Sequence, residues 1–108
     1  MNRRFLKLMF VVMALCGMLQ VHALNVHTIG DSTMQTYDES STNTRGWAQY
    51  FQQFFTGLTV NNRGKAGASS KSFYKEAAYW QSVKKQMKPG DYVLIQFSHN
   101  DEKTNGMD

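Results

Sequence analysis

The alternation of apolar and polar residues after residue 23 predicts three short β-strands. Apolar and polar residues alternate over residues 24–29, the period of a half-buried strand, and the alternation ends at the turn triplet Gly-Asp-Ser of residues 30–32. Residues 58–62 form a second β-prone run. Residues 91–97 are almost continuously apolar, which is typical of a strand buried on both faces of a parallel sheet.

Two helices are predicted between these strands. From Trp47 to Phe55, five aromatic residues recur at the spacing i, i+3, i+4, i+7 and i+8, which places them on one helical face, and Gly57 ends this helix. Apolar residues with the same period predict a second helix over residues 73–87, with lysines near its end and Pro-Gly at residues 89–90.

The order strand, helix, strand, helix, strand predicts an α/β fold with a parallel sheet flanked by helices. Ligands of such sheets bind beyond the carboxyl ends of the strands. The turn with Ser32, the loop of residues 64–70 and the segment with Asn100 each follow a predicted strand. We therefore expect these three segments to meet at one edge of the sheet.

The first 23 residues have the pattern of a secretory signal peptide. Three basic residues precede an apolar stretch over residues 8–19, which is shorter than the ~20 residues needed to span a bilayer. Small or tolerated residues at positions 21–23, Val-His-Ala, predict cleavage after Ala23. We expect a secreted or periplasmic protein, with residues 24–108 forming part of one globular domain that has no membrane anchor.

Removal of this segment changes the charge of the chain and excludes several functions. Nine basic residues then remain against eight acidic ones, so the chain lacks the excess of positive charge that nucleic-acid binding requires. The single cysteine, Cys16, lies within the segment. The remaining chain therefore has no disulfide and no thiolate ligand for a structural zinc ion.

Ser32 is a candidate nucleophile because it occupies the sharp turn after the first strand. Gly30 keeps side-chain bulk away from this turn, so that the serine hydroxyl can project above the sheet edge. The same triplet is common in ordinary turns, where Asp and Ser bond to their own backbone. Asp31 is adjacent to Ser32, so we expect it to hold the turn rather than to orient a base.

Gly67 and Asn100 are candidate donors for an oxyanion hole. A glycine at position 67 lets the main chain approach a reacting carbonyl and direct its N–H there, and the amide of Asn100 is a neutral donor at the same edge. When each residue is taken alone, an ordinary flexible loop explains Gly67 better and an end-of-strand Asx turn explains Asn100 better. The Gly-Lys-Ser/Thr triplet of a phosphate-binding loop is absent.

Taken together and in order, four segments resemble the first three conserved blocks of the SGNH (GDSL-type) hydrolases. These segments are Gly30–Met34, Gly67–Phe73, Lys88–Val93 and Gln96–Asp101. Arg-Gly-Trp-Ala-Gln at residues 45–49 and Lys-Ser-Phe at residues 71–73 are most similar to the rhamnogalacturonan acetylesterases of that superfamily.

This resemblance implies a flavodoxin-like fold and a serine esterase that removes O-acetyl groups from a pectic polysaccharide or oligosaccharide through an acyl-enzyme. The resemblance implies that Ser32 is the nucleophile. It also implies that the Ser32 N–H, the Gly67 N–H and the Asn100 side chain form the oxyanion hole. It implies no metal and no cofactor. The chain departs from the family at Ser98, where the family usually has glycine.

The fourth block of the family, an Asp-x-x-His that supplies the base, is absent from the sequence. None of the three histidines has aspartate three residues before it. We therefore expect residues 24–108 to be the N-terminal part of a hydrolase domain, with an incomplete sheet, and to be inactive alone.

Three alternatives remain open at this point: an acetylesterase for another glycan, a lipase-like esterase, and a truncated or non-catalytic carbohydrate-binding remnant. In the last, Trp47, Tyr50 or Trp80 would stack on sugars. The helical spacing of these aromatic residues favours core packing instead.

Overall fold

The computed structural model describes residues 3–4 and 23–103. Most of the predicted signal peptide, residues 1–2 and 5–22, lies outside the described residues. Within the described ranges, no helix has the length and apolarity that a membrane span requires.

The centre of the fold is a parallel sheet of three strands in the order β2-β1-β3, which confirms the predicted α/β architecture. The strands are β1 (Leu24–Gly30), β2 (Leu58–Gly64) and β3 (Tyr92–Gln96). The carboxyl ends are in register, because Gly30 at the end of β1 lies opposite both Gly64 and Gln96. The loops that follow the three strands therefore leave the sheet at one edge.

Strand β3 is more exposed than its sequence predicts. The exposed fraction is 62% for Tyr92 and 66% for Ile95, although the apolar run indicated a strand buried on both faces. The prediction of two-sided burial is wrong for the described residues, because Tyr92 and Ile95 point to opposite faces of the strand and neither face is covered there. In the described part β3 pairs only with β1, so its other edge is also open. An open apolar edge is a site at which another strand can add.

Two short helices replace the single helix predicted over residues 73–87. They are α1 (Ser70–Lys75) and α2 (Trp80–Gln86). Between them the chain turns back, and the rings of Phe73 and Tyr79 stack with centroids 5.5 Å apart. Residues six apart on one straight helix lie about 9 Å apart along the axis and point to different sides. The stacked pair therefore requires the break.

The main core lies between the sheet and these two helices. Its buried members are Ile29, Ala68, Phe73 and Val83, and partly buried aromatic residues pack around them. Full burial of a side chain such as Phe73 or Val83 contributes about 1.5–3 kcal/mol. This core fixes the helices to one face of β1 and so sets the path of the loops before α1.

The helix predicted from Trp47 to Phe55 is instead a pair of 3₁₀ turns, Trp47–Gln49 and Phe51–Phe54. The prediction of one shared apolar face is wrong, since Phe54 is 72% exposed and Trp47 is 42% exposed. The polar side chains of the segment bond to neighbouring backbone instead. Gln52, for example, accepts a hydrogen bond from the Val60 N–H and donates one to the Leu58 carbonyl.

Candidate active site

Ser32 lies in a tight turn that its neighbour Asp31 closes. Asp31 is completely buried, and its Oδ1 accepts hydrogen bonds from the Thr33 N–H at 2.9 Å and the Thr33 Oγ1 at 2.7 Å. The Asp31 carbonyl accepts from the N–H groups of Met34 and Gln35, both at 3.2 Å. These four bonds fix the backbone on both sides of Ser32, whose side chain is partly exposed.

Tyr37 engages the carbonyl of Ser32 directly. Its hydroxyl donates to that oxygen at 2.7 Å, and Tyr37 itself is held by Gln49, which bonds to both its N–H and its carbonyl. Within residues 23–103, the Ser32 N–H and Oγ make no hydrogen bond. The two groups that an acyl-transfer serine uses are thus free of protein partners in the described part, while its third polar group is fixed.

Two strand-end glycines allow this turn to pack closely on the sheet. A Cβ on Gly30 would lie 2.5 Å from the Gln96 carbonyl oxygen, and a Cβ on Gly64 would lie 2.6 Å from the Gln35 nitrogen. Both distances are too short for real Cβ atoms. The segment after Ser32 rests directly on the ends of β1 and β2, because a Cβ on Gly30 would also lie 3.0 Å from the Met34 side chain and Gly64 faces Gln35.

Gly67 lies in the loop after β2 in a left-handed conformation, with a φ of 78°. A Cβ there would meet nothing within 4 Å, so the requirement for glycine is conformational rather than steric. The turn is closed by a 3.1 Å bond from the Ala68 N–H to the Lys65 carbonyl. The Lys65 N–H in turn donates to the Gly30 carbonyl at 2.9 Å, which ties the loop to the end of β1.

Asn100 is buried and links the loop after β3 to the loop after β2. Its Nδ2 donates to the Ala68 carbonyl at 3.0 Å, and its Oδ1 accepts from Lys103 Nζ at 2.9 Å. The next residue, Asp101, accepts from the N–H and hydroxyl of Ser70 at the start of α1. One amide hydrogen of Asn100 remains available, because a primary amide carries two.

The structure thus joins the three predicted segments at one edge of the sheet. Asn100 contacts the residue after Gly67, and the Ala66 N–H in the Gly67 loop donates to the side chain of Gln35, three residues after Ser32. Ser98, the departure from the family pattern, is exposed, and its carbonyl accepts from the Glu102 N–H at 3.2 Å.

His27 is buried in the middle of β1 and bonds to Asp91 at the amino-terminal edge of the sheet, so it does not serve Ser32. Its Nε2 lies 3.0 Å from Oδ2 of Asp91, the residue before β3. This contact, with hydrogen bonds from the Lys88 and Asn25 N–H groups, lowers the pKa of Asp91 to about 2. His99, in contrast, is exposed beside Asn100.

Sequence reasoning missed a group of side chains that surrounds the Ser32 turn. The Trp47 Nε1 donates to Gln96 Oε1 at 2.7 Å, and the Gln96 Nε2 donates to Thr33 Oγ1 at 2.6 Å. One signal was present in the sequence: Gln96 is a polar residue at the end of the apolar run of β3. A polar residue at this position indicates a side chain at the carboxyl edge of the sheet, where the candidate site lies.

Two of the cavities among the described residues lie close to the start of α1. A polar groove of about 400 Å³ is lined by Ser69, Ser70, Lys71 and Asp101, the residue that follows Asn100. An apolar cavity of about 190 Å³ opens between β3 and α1, with aromatic walls from Phe73, Trp80 and Phe97. Among the described residues, no group of three or more His, Cys, Asp and Glu side chains could hold a metal ion.

The sequence profile of the GDSL-like lipase/acylhydrolase family matches residues 26–106. The chain belongs to this family. The match includes β1 from Val26 onwards, all of β2 and β3, and the segments of Ser32, Gly67 and Asn100, and it confirms the resemblance that the conserved blocks indicated.

Three relatives of this GDSL-like chain are rhamnogalacturonan acetylesterases by name. Rhamnogalacturonan acetylesterase RhgT of Bacillus subtilis is 40% identical over 84 residues, which cover 77% of this chain and 36% of the relative. The probable rhamnogalacturonan acetylesterase YesY of the same organism is 37% identical over 77% of this chain and 38% of the relative. The rhamnogalacturonan acetylesterase of Emericella nidulans is 32% identical over 73% of this chain and 29% of the relative. The chain thus spans about a third of the length of the curated relatives it matches.

Proposed function

We propose that this chain carries the nucleophile and the oxyanion hole of a serine esterase, with Ser32 as the nucleophile. The main support for this proposal is the pattern of hydrogen bonds at Ser32. Tyr37 bonds its carbonyl, and Asp31 fixes the turn, while its N–H and Oγ make no bond within the described residues. A serine whose backbone is fixed and whose hydroxyl is free meets the geometric need of a nucleophile.

The N–H groups of Ser32 and Gly67 and the side chain of Asn100 would stabilise the oxyanion. Three features support this assignment: the left-handed backbone of Gly67, the burial of Asn100, and the bond between Asn100 and the carbonyl that follows Gly67. Each preorganised donor of this kind contributes about 3 kcal/mol of transition-state stabilisation.

In the proposed reaction the Ser32 Oγ forms a bond to the ester carbonyl carbon and its proton passes to a base. The alcohol oxygen leaves with that proton, and water then hydrolyses the acyl-serine by the reverse transfer. Because His27 is bonded to Asp91 at the other edge, and no histidine of the sequence has aspartate three residues before it, we place the base outside residues 23–103.

The proposed substrate is an acetylated pectic polysaccharide or oligosaccharide. Support comes from the names of the three relatives and from the polar groove lined by residues 69–71 and Asp101, since the hydroxyl, ammonium and carboxylate groups of that groove suit a carbohydrate. A lipase-like esterase is the second candidate, since the apolar cavity beside Phe97 could receive an acyl chain. Rates on acetylated rhamnogalacturonan and on p-nitrophenyl octanoate distinguish the two candidates.

We also propose that the protein is exported, because residues 1–23 have the composition of a signal peptide. N-terminal sequencing of the protein recovered outside the cytoplasm should begin at Leu24. A protein that retains Met1 in that fraction would contradict cleavage.

The test of the proposed function is the Ser32→Ala variant of the full-length protein that carries this segment. Acetate release from acetylated rhamnogalacturonan should fall to background, while the melting temperature stays near that of the wild type because only one partly exposed hydroxyl is lost. Ser40→Ala, which removes a hydroxyl from an exposed turn, is the matched control and should keep full activity. Turnover by Ser32→Ala at the control rate would reject the nucleophile assignment.

A further inference from the structure

The side-chain amide of Gln96 connects two parts of the chain that surround the Ser32 turn. It accepts a hydrogen bond from the Trp47 indole at 2.7 Å and donates one to the Thr33 hydroxyl at 2.6 Å. Gln96 is the last residue of β3, so this bridge runs from the rigid sheet to the residue that follows Ser32.

The direction of each hydrogen bond in this bridge is determined by chemistry. An indole N–H can only donate, so the oxygen of the Gln96 amide must face Trp47 and its nitrogen must face Thr33. The Thr33 hydroxyl accepts from that nitrogen and gives its own hydrogen to Asp31 Oδ1, 2.7 Å away. The result is one relay that runs from Trp47 through Gln96 and Thr33 to Asp31.

Each end of the relay is itself immobilised. The Trp47 ring packs edge-on against Phe51, with centroids 5.4 Å apart, and the Trp47 N–H donates to the Thr33 carbonyl at 3.0 Å. Asp31 is fully buried. Hydrogen bonds therefore hold Thr33 through its N–H, its carbonyl and its hydroxyl. Apolar packing does not fix this residue, because it is exposed and lies outside the hydrophobic core.

We propose that Gln96 is a positioning residue for the esterase reaction. It acts through Thr33: the amide fixes the Thr33 hydroxyl as a donor to Asp31, and this sets the peptide between Ser32 and Thr33 and the direction of the Ser32 side chain. The proposal rests on the proposed function of Ser32. It adds a residue that never touches the substrate and yet determines how often the nucleophile is aligned.

A positioning role and a merely structural role make different predictions for kinetics. Loss of alignment lowers kcat and leaves the substrate contacts that govern KM in place. Because both bonds of the Gln96 amide are solvent-exposed, water can replace them in the folded protein, and their loss should change the melting temperature little. A structural role would instead lower the melting temperature and the active fraction together.

The test measures kcat, KM and melting temperature for Gln96→Ala, Thr33→Val and the double variant in the full-length protein. Each single variant should lower kcat by about ten- to a hundredfold, with KM changed by less than about twofold. The double variant should be no slower than the slower single variant, because both changes break the same link. Thr33→Ser keeps the hydroxyl and should restore most of kcat.

Gln53→Ala is the matched control, since Gln53 is exposed and its side chain makes no hydrogen bond within the described residues. If Gln96→Ala fails to fold, Gln96→Glu replaces it: the carboxylate still accepts from Trp47 but cannot donate to Thr33, and kcat should fall as for Thr33→Val. A kcat at the Gln53→Ala level, or losses that multiply in the double variant, would overturn the proposal. Failure of the proposed function is a separate result, seen as activity that survives Ser32→Ala.

Discussion

The hydroxyl of Tyr37 donates a 2.7 Å hydrogen bond to the carbonyl oxygen of Ser32. This contact joins the candidate nucleophile to a tyrosine five residues later, and Gln49 holds that tyrosine from the first 3₁₀ turn. The bond fixes the peptide plane that follows Ser32 without occupying its hydroxyl or its N–H.

Tyr37→Phe should therefore reduce activity without altering substrate binding. We expect kcat to fall by about tenfold with KM nearly unchanged, because the ring remains packed while the Ser32 carbonyl loses its partner. Tyr92→Phe is the control, since it removes a hydroxyl from an exposed ring at the opposite edge of the sheet. Equal kcat values for the two variants would show that the Tyr37 bond has no part in catalysis.

Asn100→Ala tests the proposed oxyanion hole. The variant should lower kcat by roughly two to three orders of magnitude with a modest effect on KM, because the lost donor acts on the charge of the transition state. Lys103→Met removes the partner of the Asn100 Oδ1 but keeps the amide and its bond to Ala68, so its kcat should stay near the wild-type value. An unchanged kcat in Asn100→Ala would remove this residue from the hole.

Ser98→Gly restores the residue that the family usually has at this position. The turn after β3 is closed by the Ser98 carbonyl and the Glu102 N–H, a backbone bond that a glycine retains, and the Ser98 side chain is exposed. We expect kcat/KM on acetylated rhamnogalacturonan to be equal to or higher than that of the wild type. A large loss of kcat/KM would show that the Ser98 hydroxyl has a role of its own.

The His27 and Asp91 pair should make stability depend on acid pH. The pKa of Asp91 is about 2 in the folded chain against 3.8 ordinarily, chiefly because of the His27 hydrogen bond, so folding favours the ionised carboxylate. This stabilisation is present in full above about pH 4 and is lost as the pH falls towards 2. In Asp91→Asn the melting temperature should be lower at neutral pH and should change less between pH 4 and 2.

Glu76→Gln, which neutralises an exposed carboxylate between the two helices, provides the baseline for that experiment. Its melting temperature should follow the wild-type curve over the whole pH range. The assignment of acid sensitivity to Asp91 is contradicted if Asp91→Asn follows that curve as well.

The sheet and its site edge could be predicted because their signals are local. The alternation in β1, the apolar run of β3 and the turn residues after each strand are all read within a few residues. The break between α1 and α2 could not be predicted, because Ala77 and Ala78 favour a continuous helix, and the stacking of Tyr79 on Phe73 that accompanies the break has no local signal in the sequence.

The residues that surround the Ser32 turn were missed for a related reason. Gln96 lies 49 positions from Trp47 and 63 from Thr33, so no sequence window contains their hydrogen bonds. The aromatic period from Trp47 to Phe55 also suits a 3₁₀ turn, in which residues i and i+3 align. Period alone could not show that Trp47 faces the site instead of the core.

The most direct test of the account is the site at which a fluorophosphonate inactivates the full-length protein. The probe forms a stable bond only with an activated serine, so peptide mapping after complete inactivation reports the nucleophile. If Ser32 is the nucleophile, each molecule carries one label, on Ser32, and acetate release is lost in proportion to labelling. Inactivation with the label on any other residue, or full labelling of Ser32 with acetate release intact, would contradict that assignment.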